Sequence, residues 1–159
     1  MAAYSFVTVW NIPAPREQVW DALNTPEEYP LWWKNIVSYK KLNPEVTGVG
    51  ARAQRVVKGK LPYTLTYETV VTKMEKPAEI GYDATGELVG HGRFVLTEQG
   101  PKQTQVLFYW DVSTSGFWMN LLAPFLKWLF AWNHNAVMAQ GEQGLIAWLA
   151  RPRTPSSAP

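Results

Sequence analysis

Two residues of this sequence have side chains suited to acid–base or charge-stabilising chemistry, His134 and Arg55. His134 lies in a long apolar segment, and an imidazole can act near neutral pH as a general base or a hydrogen-bond donor. Arg55 alternates with Ala53 and Val57, so we expect it to face inward, where an unpaired cation is costly. An inward Arg55 could hold a carboxylate or an enolate of a ligand. Both residues are therefore candidate catalytic groups.

Each of these residues also has a structural interpretation. His134 could form a hydrogen bond with the backbone of a strand or loop. Arg55 could form a salt bridge with Glu68 or Asp111, or lie on a bulge that turns it outward. No Ser, Cys or Asp forms a recognisable nucleophile motif with His134. The sequence leaves these alternatives open.

The second histidine and the absence of cysteine bear on metal binding. His91 is predicted on the outer face of its strand, because its parity is opposite to that of Gly92 and Phe94. Two histidines without an HExxH motif or clustered carboxylates do not predict a metal site. The chain has no Cys, which excludes disulfides and thiolate ligands. We therefore expect neither a metal nor another cofactor.

Length and composition indicate one globular domain. The chain has 159 residues, of which 47% are hydrophobic and 14% aromatic, and its net charge of +2 argues against a nucleic-acid partner. The start of the chain lacks a signal-peptide pattern, so we expect a cytoplasmic protein. The apolar run over 117–132 is too short for a membrane span and contains Pro124 and Lys127.

The periodicity predicts an α+β fold. Apolar alternation predicts strands over 4–12, 36–42, 51–58, 63–73, 79–85, 92–98 and 104–114. Two short helices are predicted after the first strand, the second opening at Pro26 with Thr25 as its cap. A long helix is predicted from about Pro124 to Ala150. The domain is expected to span 1–150, and the Pro- and Ser-rich tail over 151–159 to be disordered.

These elements have one simple arrangement. Six consecutive strands joined by tight turns predict an antiparallel meander, and the first strand can join either edge. The first half of the long helix is apolar nearly all round and needs cover, which the apolar face of the sheet can provide.

Several short phrases resemble those of a known family. They are Ile12-Pro13-Ala14-Pro15, Tyr29-Pro30 before Trp32-Trp33, Leu61-Pro62-Tyr63, and Trp132-Asn133-His134. With the order of elements, they make the chain similar to the START-domain/polyketide cyclase (SRPBCC) superfamily. The resemblance implies a helix-grip fold, in which a curved antiparallel sheet of about seven strands surrounds the C-terminal helix and encloses a deep cavity. Members carry lipids, bind plant hormones, cyclise polyketides or regulate other proteins.

The inward positions of the strands and helices then predict a mainly apolar cavity lining. The candidate ligand-binding residues are Trp33, Arg55, Tyr63, Tyr67, Tyr82, Phe94, Phe108, Trp110, His134, Met138 and Gly141. We expect a volume of at least a few hundred Å³. Gly141 could permit close packing of helix and sheet or widen the cavity. We favour the cavity, because Gly144 lies nearby on the same side.

Three functions agree with this pattern. The first is binding of a small hydrophobic or aromatic ligand, lipid- or polyketide-like. The second is an aromatase/cyclase-type enzyme of aldol cyclisation and dehydration, in which His134 or Arg55 stabilises an enolate. The third is a subunit-interaction or membrane-surface role for Trp118, Trp128 and Trp132, which could instead pack in the core. The basic residues after the second short helix could add weak attraction to anionic lipid or simply form a solvated strand face. They are Lys34, Lys40, Lys41, Arg52, Lys58 and Lys60. Either a monomer or a homodimer is compatible with the sequence.

Overall fold

The computed structural model describes residues 3–62, 64–114 and 123–151, with side chains from Lys127 onward in the last segment. The predicted lining residue Tyr63, the tryptophan Trp118 and the tail over 152–159 lie outside the described residues.

A single antiparallel sheet of seven strands forms the body of the fold, as the alternation predicted. The strands are β1 (Ala3–Ile12), β2 (Ile36–Lys41), β3 (Arg52–Val57), β4 (Leu65–Glu75), β5 (Glu79–Gly86), β6 (Leu88–Gly100) and β7 (Gln103–Thr114). Their order across the sheet is β1-β7-β6-β5-β4-β3-β2. The meander is therefore confirmed, and β1 joins the β7 edge, with Phe6 directly opposite Trp110.

The connection between β1 and β2 contains the two predicted short helices. Helix α1 spans Arg16–Leu23, and a 3-10 turn over Pro26–Glu28 leads into one turn of α-helix, α2, over Tyr29–Trp32. Thr25 does not cap this second element, because its hydroxyl instead donates to the carbonyl of Asp21, 2.8 Å away. Pro26 still occupies the first turn, where its missing N–H costs nothing.

The long helix, α3, spans Ala123–Ala150 and lies across the concave face of the curved sheet. It packs on β1 and α2, and the carboxylate of Glu142 accepts a hydrogen bond from the backbone N–H of Asn11. Leu145 is completely buried. Contrary to the expectation from the sequence, the sheet does not bury the first half of α3 completely, because Trp128 and Trp132 are 69% and 47% exposed. Within the described segments, no helix combines the length and hydropathy needed to cross a membrane.

Candidate ligand-binding cavity

A mainly apolar cavity of about 100 Å³ separates the concave face of the sheet from α3. All predicted lining residues contribute to its wall except Tyr63, which is not described, and Gly141. The cavity is smaller than the few hundred Å³ expected. The aromatic side chains fill part of the space by packing on one another. The ring centroids of Phe94 and Phe108 are 4.5 Å apart, and those of Phe108 and Trp110 are 5.8 Å apart.

Sequence reasoning missed several lining residues. They are Tyr4, Phe6, Ile36, Val57, Leu65, Leu88, Val112, Thr114, Phe130, Asn133 and Val137. Tyr4 and Phe6 share a parity in β1, which is a usable signal for one face of a strand. The periodicity did not show that β1 pairs with β7, and that pairing is what places both rings beside the cavity.

Arg55 lies on the cavity wall in a shell of tyrosines. The central carbon of its guanidinium lies 4.8 Å from the ring centroid of Tyr82, 5.5 Å from that of Tyr39 and 5.6 Å from that of Tyr29. Tyr67 is its direct neighbour across β3 and β4. Such cation–π contacts partly replace the water that the guanidinium loses on burial.

Neither predicted acidic partner reaches Arg55. Glu68 instead pairs with Arg52 at 3.1 Å, and Asp111 accepts a hydrogen bond from Ser5. Arg55 is only 8% exposed, so a bulge does not turn it outward. Within the described part of the chain it has no acidic counter-ion, and its Nε atom has no hydrogen-bond partner.

The electrostatics keep this cluster cationic. Burial raises the pKa of Tyr67 and of Tyr82, although Arg55 opposes that shift, so both phenols are neutral at physiological pH. Burial alone would lower the pKa of Arg55, but Tyr82, Tyr67 and the other surrounding tyrosines outweigh it and raise the pKa above its ordinary value. The cavity therefore contains a permanent positive charge surrounded by neutral hydroxyl groups.

His134 lies on the wall of the same cavity. Its ring stacks on Phe6 with centroids 4.1 Å apart, and its Nε2 atom is buried with no hydrogen-bond partner among the described residues. Burial lowers the pKa of His134 to about 4, so the imidazole is neutral at pH 7. A base this weak is poorly matched to proton abstraction near neutrality, but it can form a hydrogen bond with a ligand.

The depressed pKa of His134 predicts acid sensitivity. In the unfolded chain the imidazole of His134 binds a proton below about pH 6.5, whereas in the folded chain it does so only near pH 4. The free energy of unfolding therefore decreases as the pH is lowered from about 6.5 to about 4. Between pH 7 and pH 5 the wild type should lose about 2 kcal/mol more unfolding free energy than His134→Gln. Urea unfolding of both proteins at the two pH values measures this difference. Equal losses would show that the pKa of His134 is the same in the folded and the unfolded chain.

Gly141 packs against an indole and does not line the cavity, which corrects the favoured sequence interpretation. A Cβ at Gly141 would lie 2.5 Å from the Trp33 ring, whose Nε1 donates to the carbonyl of Val137, 2.9 Å away. A Cβ at Gly144 would lie 1.9 Å from the backbone oxygen of Trp32. The two glycines therefore allow α3 to approach α2 closely.

The loop between β3 and β4 is attached to α3 beside the cavity. The side-chain oxygen of Asn133 accepts hydrogen bonds from the backbone N–H groups of Lys60, at 2.7 Å, and Leu61, at 3.4 Å. Gly59 leaves room for this approach, because a Cβ there would lie 2.1 Å from the same oxygen. The ammonium of Lys60 also lies 5.2 Å from the Trp132 ring centroid.

His91 lies apart from the cavity. It is exposed on the convex face, where its Nδ1 is 2.6 Å from a carboxylate oxygen of Asp83. Across residues 3–62, 64–114 and 127–151, His, Asp and Glu side chains form no group of three that could hold a metal ion.

The seven-stranded sheet, the helix across its concave face and the cavity between them define a helix-grip protein. A family model described as polyketide cyclase / dehydrase and lipid transport matches residues 12–138. The chain belongs to this family. A comparison with curated protein sequences finds no match.

Solved structures show the same fold at low sequence identity. A START superfamily protein from Mycobacterium smegmatis is 18% identical, with a TM-score of 0.72 over 92% of this chain and 99% of its own. The Zhui aromatase/cyclase from Streptomyces sp. R1128 is 17% identical, with a TM-score of 0.70 over 92% and 96%. The protein TTHA0849 from Thermus thermophilus is 17% identical, with a TM-score of 0.71 over 91% and 99%.

Proposed function

We propose that this protein binds a small, mainly apolar aromatic ligand in the cavity between the sheet and α3. The observation that carries the proposal is the buried Arg55, which faces an apolar cavity without an acidic counter-ion in the described residues. Apolar walls with a few convergent polar groups are the usual composition of a small-molecule site. A buried cation without a counter-ion is costly, and an anionic ligand would relieve that cost.

Membership of the family supports ligand binding in general, without indicating which ligand is bound. The family's description combines cyclase and dehydrase activity with lipid transport, and a cavity with apolar walls is compatible with each of them. The lining that the structure describes contains no Asp or Glu that would repel an anionic ligand.

Binding of a hydrophobic, environment-sensitive dye with a single ring, such as 4-(dimethylamino)benzonitrile, tests the proposal. Val57 lines the cavity, so Val57→Phe should fill part of it and weaken dye binding by about tenfold. Val56 precedes it on the other face of β3, so Val56→Phe is the matched control and should bind like the wild type. Equal binding by all three proteins would place the dye, and any hydrophobic ligand, outside this cavity.

A second candidate is catalysis of ring closure and dehydration. It is favoured by the family description and by the position of Arg55, whose charge could stabilise a developing enolate in an apolar cavity. Neutral His134 would then position or relay a proton. Conversion of a short poly-β-ketone by the wild type, but not by Arg55→Gln, would support this candidate. Binding of the same compound without conversion would favour a carrier.

A further inference from the structure

We propose that the preferred ligand is a single-ring aromatic acid with a hydroxyl group opposite its carboxylate, as in the hydroxybenzoates. The carboxylate would lie at Arg55, and the hydroxyl between Tyr4 and His134. This inference rests on the proposed function, because it names the chemical class that the same cavity takes.

The cavity has two polar ends. At one end the guanidinium of Arg55 is joined by the hydroxyls of Tyr67 and Tyr82, which form side-chain hydrogen bonds with it. At the other end are the Tyr4 hydroxyl and the His134 Nε2 atom, both buried without a partner in the described chain. Buried polar atoms are normally satisfied, so unpaired ones on a cavity wall point to a polar ligand group.

The strand register limits how far apart the two ends lie. Tyr82, Gly92, Trp110 and Phe6 are direct neighbours across β5, β6, β7 and β1. Tyr82 lies beside Arg55, and Phe6 lies beside His134. Three strand spacings separate the backbones of Tyr82 and Phe6, so these backbones are at most about 14 Å apart. The Tyr82 ring leans over Gly92 toward Trp110, because a Cβ at Gly92 would lie 2.6 Å from that ring. A ligand that reaches both ends therefore crosses no more than four neighbouring strands.

The volume of the cavity limits the size of its ligand. A cavity of about 100 Å³ is smaller than the roughly 150 Å³ apolar cavity that takes up benzene in an engineered protein. Even one aromatic ring therefore requires some movement of the wall, and a larger apolar body would require more. The middle of the cavity, lined by Phe94, Phe108 and Trp110, provides ring faces for it.

The charges agree with an acid at one end and a neutral hydroxyl at the other. A guanidinium can hold a carboxylate through two parallel hydrogen bonds. At the far end, burial raises the pKa of Tyr4 and lowers that of His134, so both groups are neutral at pH 7. The rings of Tyr4 and His134 both contact Phe6, and a ligand hydroxyl, which both donates and accepts, can pair with a phenol or an imidazole.

Isothermal titration calorimetry of the full chain at pH 7 with three probes tests the inference. The probes are 4-hydroxybenzoate, benzoate and 4-hydroxybenzyl alcohol. We expect 4-hydroxybenzoate to bind about tenfold more tightly than benzoate, because only the former has the hydroxyl group. The uncharged 4-hydroxybenzyl alcohol should bind most weakly of the three, because it lacks the carboxylate.

Matched variants locate each end. Tyr4→Phe removes only an unpaired hydroxyl and should fold normally, and it should abolish the preference for 4-hydroxybenzoate over benzoate. Tyr109 lies on the opposite face of the sheet, under Arg93, so Tyr109→Phe should keep the preference.

The outcomes separate the inference from the proposed function. Equal affinity for benzoate and 4-hydroxybenzoate, or a preference that survives in Tyr4→Phe, would overturn the assignment of the hydroxyl site. If neither acid binds while the hydrophobic dye still does, the ligand class is wrong and the cavity function stands. If the dye also fails to bind, both proposals fail.

Discussion

Arg55→Met should weaken binding of 4-hydroxybenzoate by at least about 100-fold, because removing one member of a buried charge pair strands the other in an apolar cavity. Affinity for the uncharged 4-hydroxybenzyl alcohol should hardly change. Folding should tolerate the substitution. Methionine avoids the desolvation cost of a buried cation, which offsets the missing cation–π attraction and part of the lost hydrogen bonds to Tyr67 and Tyr82, so stability should fall by no more than about 2 kcal/mol.

The matched control for Arg55 lies on the same strand. Arg52 is exposed and pairs with Glu68, and Arg52→Met should bind both probes like the wild type. Calorimetric titration gives the affinities, and urea unfolding gives the stabilities. If Arg55→Met loses several kcal/mol of stability and binds the acid normally, Arg55 is a structural residue and the anionic site lies elsewhere.

Gly144→Ala should destabilise the fold by about 2–3 kcal/mol, although alanine is the better helix former by about 1 kcal/mol. The new Cβ would lie 1.9 Å from the backbone oxygen of Trp32. A backbone atom cannot rotate away as a side chain can, so α3 and α2 must separate. That movement would disturb the Trp32–Trp33 stack, whose centroids are 5.6 Å apart.

An exposed position on the same helix provides the control. Gln143→Ala changes an exposed side chain next to Gly144 and should alter stability by no more than about 0.5 kcal/mol. Urea unfolding of both variants at pH 7 measures the difference. A Gly144→Ala protein as stable as the wild type would mean that α2 and α3 are further apart than the structure shows.

The seven strands and the long helix could be predicted because local patterns encode them. A period of two in β4 and β7, and a period near 3.6 in α3, reflect which side of each element is buried. The inward position of Arg55 followed from the same parity.

What the periodicity could not encode is the distance between elements that are remote in the chain. Parity placed Arg55 inside but could not exclude a salt bridge to Glu68, since partners depend on side-chain directions across strands. It marked Tyr4 and Phe6 as sharing a face, yet only the pairing of β1 with β7 places them opposite α3.

The two glycines of α3 also show what local sequence can predict and what depends on the tertiary structure. The sequence showed that both glycines lie on one side of α3. Because glycine weakens a helix, it also showed that their presence there requires a structural or functional explanation. Whether the missing side chains make room for a ligand or for a neighbouring helix depends on what lies opposite. For Gly141 and Gly144 those neighbours are Trp33 and Trp32, more than 100 residues away in the chain. Local sequence therefore determined the elements and their buried faces, whereas the close packing of aromatic rings in three dimensions decided the size and polarity of the cavity.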